Sequence, residues 1–191
     1  FWSRDTIDDF LTSQAMDLYA SELLDLVRDS LYRLCETQPD QARDILQRYL
    51  ASDRILKRLA LHTIAREDMG LRALGREVVS HESNWLDRSC RGEFAEVVRS
   101  TFEEHDARAL ILERIENSFS PAWLSLKVKE IPDTSANAQA QDKARDVWTR
   151  EWYGLLRDKL STAETERLTA LETHYGPARN LLPHRWDPGY Q

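Results

Sequence analysis

Apolar residues recur at steps of three and four along most of the chain. In residues 21–36, SELLDLVRDSLYRLCE, one side of a helix collects Leu23, Leu24, Val27, Leu31, Leu34 and Cys35. Similar spacing continues to residue 129 and again over residues 142–176. No segment alternates between apolar and polar positions as a half-buried strand does. The pattern predicts eight to ten helices and no sheet.

Several residues mark where these helices begin and end. Pro39 suits the first turn of a helix, where its missing N–H has no intrahelical partner. Ser161 and Glu164 have the spacing of a capping box, which would open a helix at residue 162. Met69-Gly70 can end a helix, and Ser120-Pro121 can begin one. Short connections between successive helices are therefore expected.

Residues 130–141, EIPDTSANAQAQ, are small and polar and lack helical periodicity, so they predict a loop or linker. This linker would separate a helical-repeat region, residues 1–129, from a helical hairpin at residues 142–176. The tail, residues 177–191, carries three prolines and is expected to run extended. Helices joined in this way form either a stack of pairs or a bundle. The prediction is an all-α fold: a right-handed stack of antiparallel helix pairs, as in HEAT or TPR α-solenoids, with a helical bundle as the alternative.

The helix predicted within residues 52–68, SDRILKRLALHTIARED, has a broad apolar side and a basic side. The apolar side consists of Ile55, Leu56, Leu59, Ala60, Thr63 and Ile64. The basic side consists of Arg54, Lys57, Arg58, Leu61 and His62. A leucine ringed by charges has the composition of a binding hot spot, so these five are the predicted partner-binding residues. The alternative is a solvated charged face whose aliphatic stems pack below it.

The charge balance bears on possible partners. The chain has 191 residues, with 26 basic and 33 acidic side chains and a net charge of −7, which opposes nucleic-acid binding because phosphate contacts need a positive surface. Residues 53–76 are locally basic. A nucleic-acid-binding or glycosylase-like helical-repeat protein, with aromatic residues in a basic groove, is therefore the alternative function. The six tryptophans, among them Trp148 and Trp152, are interpreted first as core residues.

Motifs for chemistry are weak. The five histidines form no i,i+4 pair and no HExxH motif, so no metal ligands are predicted. Residues 70–77, GLRALGRE, lack the lysine and hydroxyl of a phosphate-binding loop, and no strand precedes them. Cys35 and Cys90 are interpreted as buried free thiols. We therefore expect no cofactor, no metal and no catalytic residue in this chain.

The length fits one compact domain or a segment of a longer protein, and a chain that starts at Phe1 instead of Met favours the segment. No apolar run approaches the roughly 18–20 residues of a membrane span, and the N-terminal residues lack the order of a signal peptide. The protein is therefore expected to be cytoplasmic, with no membrane contact.

Three segments, LQRYLASDRILKRLALHTIA, DVWTREWYGLLRDKL and ETHYGPARNLLPHRWDPGY, resemble the α-helical repeat region of large bacterial antiviral NTP-binding proteins of the STAND type. In that family a C-terminal helical-repeat sensor recognises a viral protein, and an effector and an ATPase precede it. Nothing in this sequence resembles those two parts. The resemblance implies a non-enzymatic sensor or scaffold segment for protein–protein interaction in antiviral defence. Its partner would be another protein or other domains of the same polypeptide.

Overall fold

The fold is all-α, as predicted. The computed structural model describes residues 18–66, 70–117, 134–179 and 181, and within these ranges the chain forms nine α-helices and no strand. The helices are α1 (Leu18–Thr37), α2 (Pro39–Leu50), α3 (Arg54–Ala65), α4 (Arg72–Ser80), α5 (Glu82–Leu86), α6 (Arg91–Thr101), α7 (His105–Asn117), α8 (Thr134–Leu155) and α9 (Thr162–Tyr175). Two 3₁₀ turns, Arg88–Cys90 and Arg157–Lys159, follow α5 and α8.

The chain divides into two compact units, and the division falls after Thr101. Unit 1 contains α1 to α6, and unit 2 contains α7 to α9. The sequence analysis placed the only break at residues 130–141, and this was wrong for residues 134–141, which belong to α8. Their alanines and glutamines are good helix formers, and a helix needs no apolar stripe unless it buries one face. Residues 130–133 lie outside the described residues.

The predicted helix ends are confirmed at two places. Pro39 occupies the first turn of α2. The Ser161 hydroxyl accepts a hydrogen bond from the backbone N–H of Glu164, whose carboxylate accepts one from the backbone N–H of Ser161. By contrast, α3 ends at Ala65, before the predicted end at Met69-Gly70. The prediction at Ser120-Pro121 falls outside the described residues.

In unit 1 most helices pack against the next helix or the next but one, and α3 also packs extensively against α6, three helices along. Helix α1 contacts α2 and α3, α3 contacts α4 and α6, and α4 contacts α5 and α6. The core is mainly aliphatic, and its fully buried large side chains are Leu46, Leu59, Leu61, Leu74 and Phe94. Gly75 allows a close approach of α4 to α6, because a Cβ at this position would lie 2.8 Å from the Thr101 Oγ1.

Unit 2 is built on α8, which contacts α7 and α9. Hydrogen bonds join Asp146 to Tyr175 and Arg157 to Glu172, so α8 and α9 run antiparallel, as the predicted hairpin requires. Both Trp148 and Trp152 are buried, with ring centroids 5.6 Å apart, which confirms their predicted place in the core. The last turns of α8 are buried on every side, including the polar residues Thr149, Arg150 and Glu151. Residues 177–179 and 181 of the predicted tail are not helical.

Candidate functional site

The five predicted partner-binding residues lie on α3, and their exposure differs. Arg54 is exposed, and its Nε donates to the backbone carbonyl of Ser89. Lys57 and His62 are partly buried. Arg58 and Leu61 are buried, and Leu61 has no accessible surface. The expectation that this side of α3 faces a partner or solvent was therefore wrong for Arg58 and Leu61.

Arg58 is buried against a carboxylate of α6. Its Nε and Nη2 both lie 2.6 Å from the Oε1 of Glu93, whose side chain is only 1% exposed. Burial raises the pKa of the Glu93 carboxyl above its ordinary value, and the guanidinium opposes part of that rise. If one helix slid along the other, the two charges would separate and each would be buried without compensation. A buried ion pair of this kind therefore favours one alignment of the two helices.

Lys57 pairs with an acid in the turn after α5. Its Nζ lies 2.7 Å from the Oδ2 of Asp87, and the other oxygen of Asp87 accepts hydrogen bonds from the backbone N–H and hydroxyl of Ser89. Burial alone would raise the pKa of Asp87, but the hydrogen bonds from Lys57 and Ser89 outweigh it and lower the pKa. Asp87 therefore ties α3 to the start of the 3₁₀ turn.

His62 lies between α1 and α6. Its Nδ1 is 3.8 Å from the Oε2 of Glu96, and its ring lies 6.5 Å from that of Tyr32, in a stacked orientation. The guanidinium of Arg66 lies over the same Tyr32 ring, 4.4 Å from its centre. The polar atoms of His62 thus face other residues of unit 1.

Three contacts, Lys57–Asp87, Arg58–Glu93 and His62–Glu96, make up what we call the α3–α6 ladder. Their residue numbers rise together along the two segments, so α3 and α6 run parallel. The sequence did contain a signal for the ladder, since Glu93 and Glu96 lie three residues apart among the apolar residues Phe94, Ala95, Val97 and Val98. Periodicity along α3 alone could not detect it, because the partners are 30 to 35 residues away.

Exposed large apolar side chains lie elsewhere. Leu23 is 60% exposed, Leu26 64% and Ile55 44%. Leu23 and Leu26 are three residues apart, which places them near each other on α1. Ile55 was predicted to lie on the inner, apolar side of its helix, and this prediction was wrong; Leu23, on the apolar side of α1, is exposed as well. Neighbouring positions of the same stripes, such as Leu31 and Leu59, are buried as predicted.

The described residues offer little for catalysis or metal binding. Cys35 and Cys90 are free and buried, as predicted, and burial raises the pKa of both thiols and so disfavours the reactive thiolate. Among the described side chains, no three His, Cys, Asp or Glu residues come together as a possible metal site. A shallow surface depression on α9 is lined by Leu160, Thr162, Thr165, Glu166 and Thr169, with a volume of about 440 Å³. Two of these threonines are linked, because the Thr169 hydroxyl donates to the backbone carbonyl of Thr165.

Within the described part of the chain, no helix is both long and apolar enough to span a bilayer. Comparison with known proteins gave no match to a protein-family model, to a curated protein or to a solved structure.

Proposed function

We propose that this chain is a non-enzymatic protein–protein interaction module, the helical sensor or scaffold segment of a larger bacterial antiviral defence protein of the STAND type. The observation that carries the proposal is the packing of unit 1, in which helices contact near neighbours in sequence and α3 runs parallel to α6. A stack of helix pairs packs in this way, since each repeat contacts mainly its neighbours. The resemblance of three segments to the helical region of that family supports the same reading.

The finer architecture we propose is a HEAT- or TPR-like stack of antiparallel helix pairs. In such a stack, ion pairs between equivalent helices of successive repeats fix the spacing of the repeats. The α3–α6 ladder fits this role, because two of its contacts, Arg58–Glu93 and His62–Glu96, join two parallel helices. Stacks of this kind present extended surfaces for partners.

Leu23 and Leu26 on α1 are the surface through which we expect a protein partner to bind. They are more than half exposed, and apolar side chains flanked by polar ones are typical of interface cores. Of the five residues predicted from the sequence, Arg54 is available for the same purpose at the start of α3, next to Ile55. Lys57, Arg58, Leu61 and His62 would then support the surface from within unit 1. The partner would be a viral protein in the cytoplasm or another domain of the same polypeptide.

The test is a comparison of captured proteins. The purified chain is immobilised and exposed to lysates of phage-infected and uninfected bacteria, and the bound proteins are identified by mass spectrometry. We expect a phage protein that binds the wild-type chain and fails to bind the Leu23→Glu/Leu26→Glu variant. The matched control, Ser30→Glu/Gln41→Glu, adds the same two negative charges at exposed polar positions and should retain binding. The purified phage protein must then reproduce this difference by calorimetry.

The alternative function has its own assay. Mobility of labelled duplex and single-stranded DNA is measured at low salt, where phosphate contacts are strongest. We expect no change in DNA mobility, because the chain is acidic overall. A shift that disappears on Arg54→Glu would instead support the nucleic-acid-binding alternative and contradict the proposal.

A further inference from the structure

The residues that follow α9 fold back onto α8. The backbone N–H of Ala178 donates to the Oε1 of Glu172 over 2.8 Å, and a methyl group at Gly154 would overlap the Cβ of Ala178. Gly154 therefore provides the space in which Ala178 contacts α8. Pro177 and Arg179, on either side of Ala178, are exposed.

Two groups hold the end of α9 to α8. The buried guanidinium of Arg150 donates through its Nη1 to the backbone carbonyls of Tyr175 and Gly176, at 2.5 and 3.2 Å. The Tyr175 hydroxyl donates to Asp146 over 2.9 Å. These contacts fix the end of the helix, whereas Ala178 lies beyond it and is held by separate groups.

Gly176 is the last residue of the first set of contacts, through its carbonyl, and the contacts of Ala178 begin two residues later. Its φ of 80° and ψ of 175° fall in a region that only glycine adopts readily, and nothing lies within 4 Å of the Cβ position. A glycine in open space can change its backbone angles at low steric cost. Ala178 is also a small side chain, so separating it from Gly154 exposes little apolar surface.

We propose that residues 176–179 form a strap that opens about Gly176 while the α8–α9 hairpin stays folded. Glu172 is the latch, since its carboxylate binds the strap backbone and also pairs with Arg157. The hydrogen bond from Ala178, together with the pairing to Arg157, lowers the pKa of Glu172, so the latch stays ionised at neutral pH.

The experiment measures amide hydrogen exchange by NMR on the full chain and uses no partner, so its result is independent of the proposed function. Ala178→Leu introduces a side chain too large for the space beside Gly154. Glu172→Ala removes the carboxylate that accepts the hydrogen bond from the Ala178 amide. Both variants should accelerate exchange at the amides of residues 178 and 179 by about tenfold or more, while Trp152 in α8 and Leu168 in α9 stay protected. Glu166→Ala, on the exposed side of α9, is the matched control and should change nothing.

Two results would overturn the proposal. If exchange accelerates equally at residue 178 and in α8 and α9, residues 176–179 are an inseparable part of the hairpin. If residue 178 exchanges as in the wild type, neither Gly154 nor Glu172 holds it in place.

Discussion

The two units use charged residues differently. In unit 1 the ladder joins side chains of separate helices, and its central pair, Arg58 and Glu93, is buried. In unit 2 two arginines bind where helices begin or end, although Arg167 also pairs with Glu116 between α9 and α7. Arg108 donates to the carbonyl of Lys159 and to the capping residue Glu164, and Arg150 donates to the carbonyls at the end of α9.

This difference shows two ways in which polar residues define a helical fold. A buried pair between helices fixes their register, because any shift separates the charges at a large desolvation cost. A charge at a helix end fixes the length of the helix and the direction of the next segment, because it satisfies backbone groups that have no intrahelical partner. We therefore expect substitutions in the ladder to affect the packing of unit 1, and substitutions at helix ends to act locally in unit 2.

The largest effect is expected from Arg58→Met, which leaves Glu93 buried without its partner. The free energy of unfolding should fall by about 3–5 kcal/mol, measured by urea denaturation. The double variant Arg58→Met/Glu93→Leu should recover most of this loss, because it removes both charges and fills the space. If the double variant is no more stable than the single one, the unpaired charge of Glu93 is not the cause of the loss.

Leu61→Ala distinguishes a core residue from a binding residue. Because Leu61 has no accessible surface, its truncation should leave a cavity and lower the free energy of unfolding by about 2–5 kcal/mol. Leu26→Ala, at an exposed position on α1, is the comparison and should change stability by less than about 0.5 kcal/mol. Equal stability losses in the two variants would contradict the burial of Leu61.

Gly176→Ala tests the backbone in unit 2. The added methyl meets no neighbour, so the expected loss of about 1–3 kcal/mol comes from the backbone angles alone. D-Alanine, introduced by ligating a synthetic C-terminal peptide, suits these angles and should restore the stability. If both the L-alanine and the D-alanine variants lose stability, the backbone angles of Gly176 are not the reason that a methyl group is unfavourable at this position.

Ser161→Ala removes half of the capping box of α9. We expect a loss of about 1 kcal/mol in thermal or chemical unfolding, since one N-terminal amide loses its acceptor. Exchange at the first amides of α9 should accelerate, and exchange in α3 should not. Acceleration in both helices would show that this cap acts beyond unit 2.

Asp87→Asn should have the smallest effect of the five substitutions, about 0.5 kcal/mol at neutral pH, because Lys57–Asp87 is only partly buried. Because the pKa of Asp87 is lowered in the folded protein, its ionised form stabilises the fold. This contribution to the free energy of unfolding is fully present above the ordinary pKa of about 3.9 and is lost as the pH falls through the lowered pKa. Thermal melts of the two proteins should therefore converge in acid. A difference in melting temperature between wild type and variant that grows below pH 3 would contradict a stabilising ion pair.

The sequence by itself determined the class of fold and many local features. The spacing of Leu31 and Leu59 with their neighbours predicts helices, and the capping box at Ser161 predicts where one begins. These features depend on residues within four positions of each other, so they can be derived without knowing the tertiary structure. The free, buried cysteines and the buried tryptophans were predicted from residue type, since such side chains are usually buried.

Only the tertiary structure decided which side of each helix is covered. The basic side of α3 has the pattern of an exposed surface, but Asp87 and Glu93 pair with Lys57 and Arg58, and Glu96 lies beside His62. Leu23 and Ile55 belong to apolar stripes but are exposed, because a stripe on a helix is covered only as far as a neighbouring helix extends. Ion pairs and packing between residues 30 or more positions apart depend on the path of the whole chain, and helical periodicity contains no information on that path.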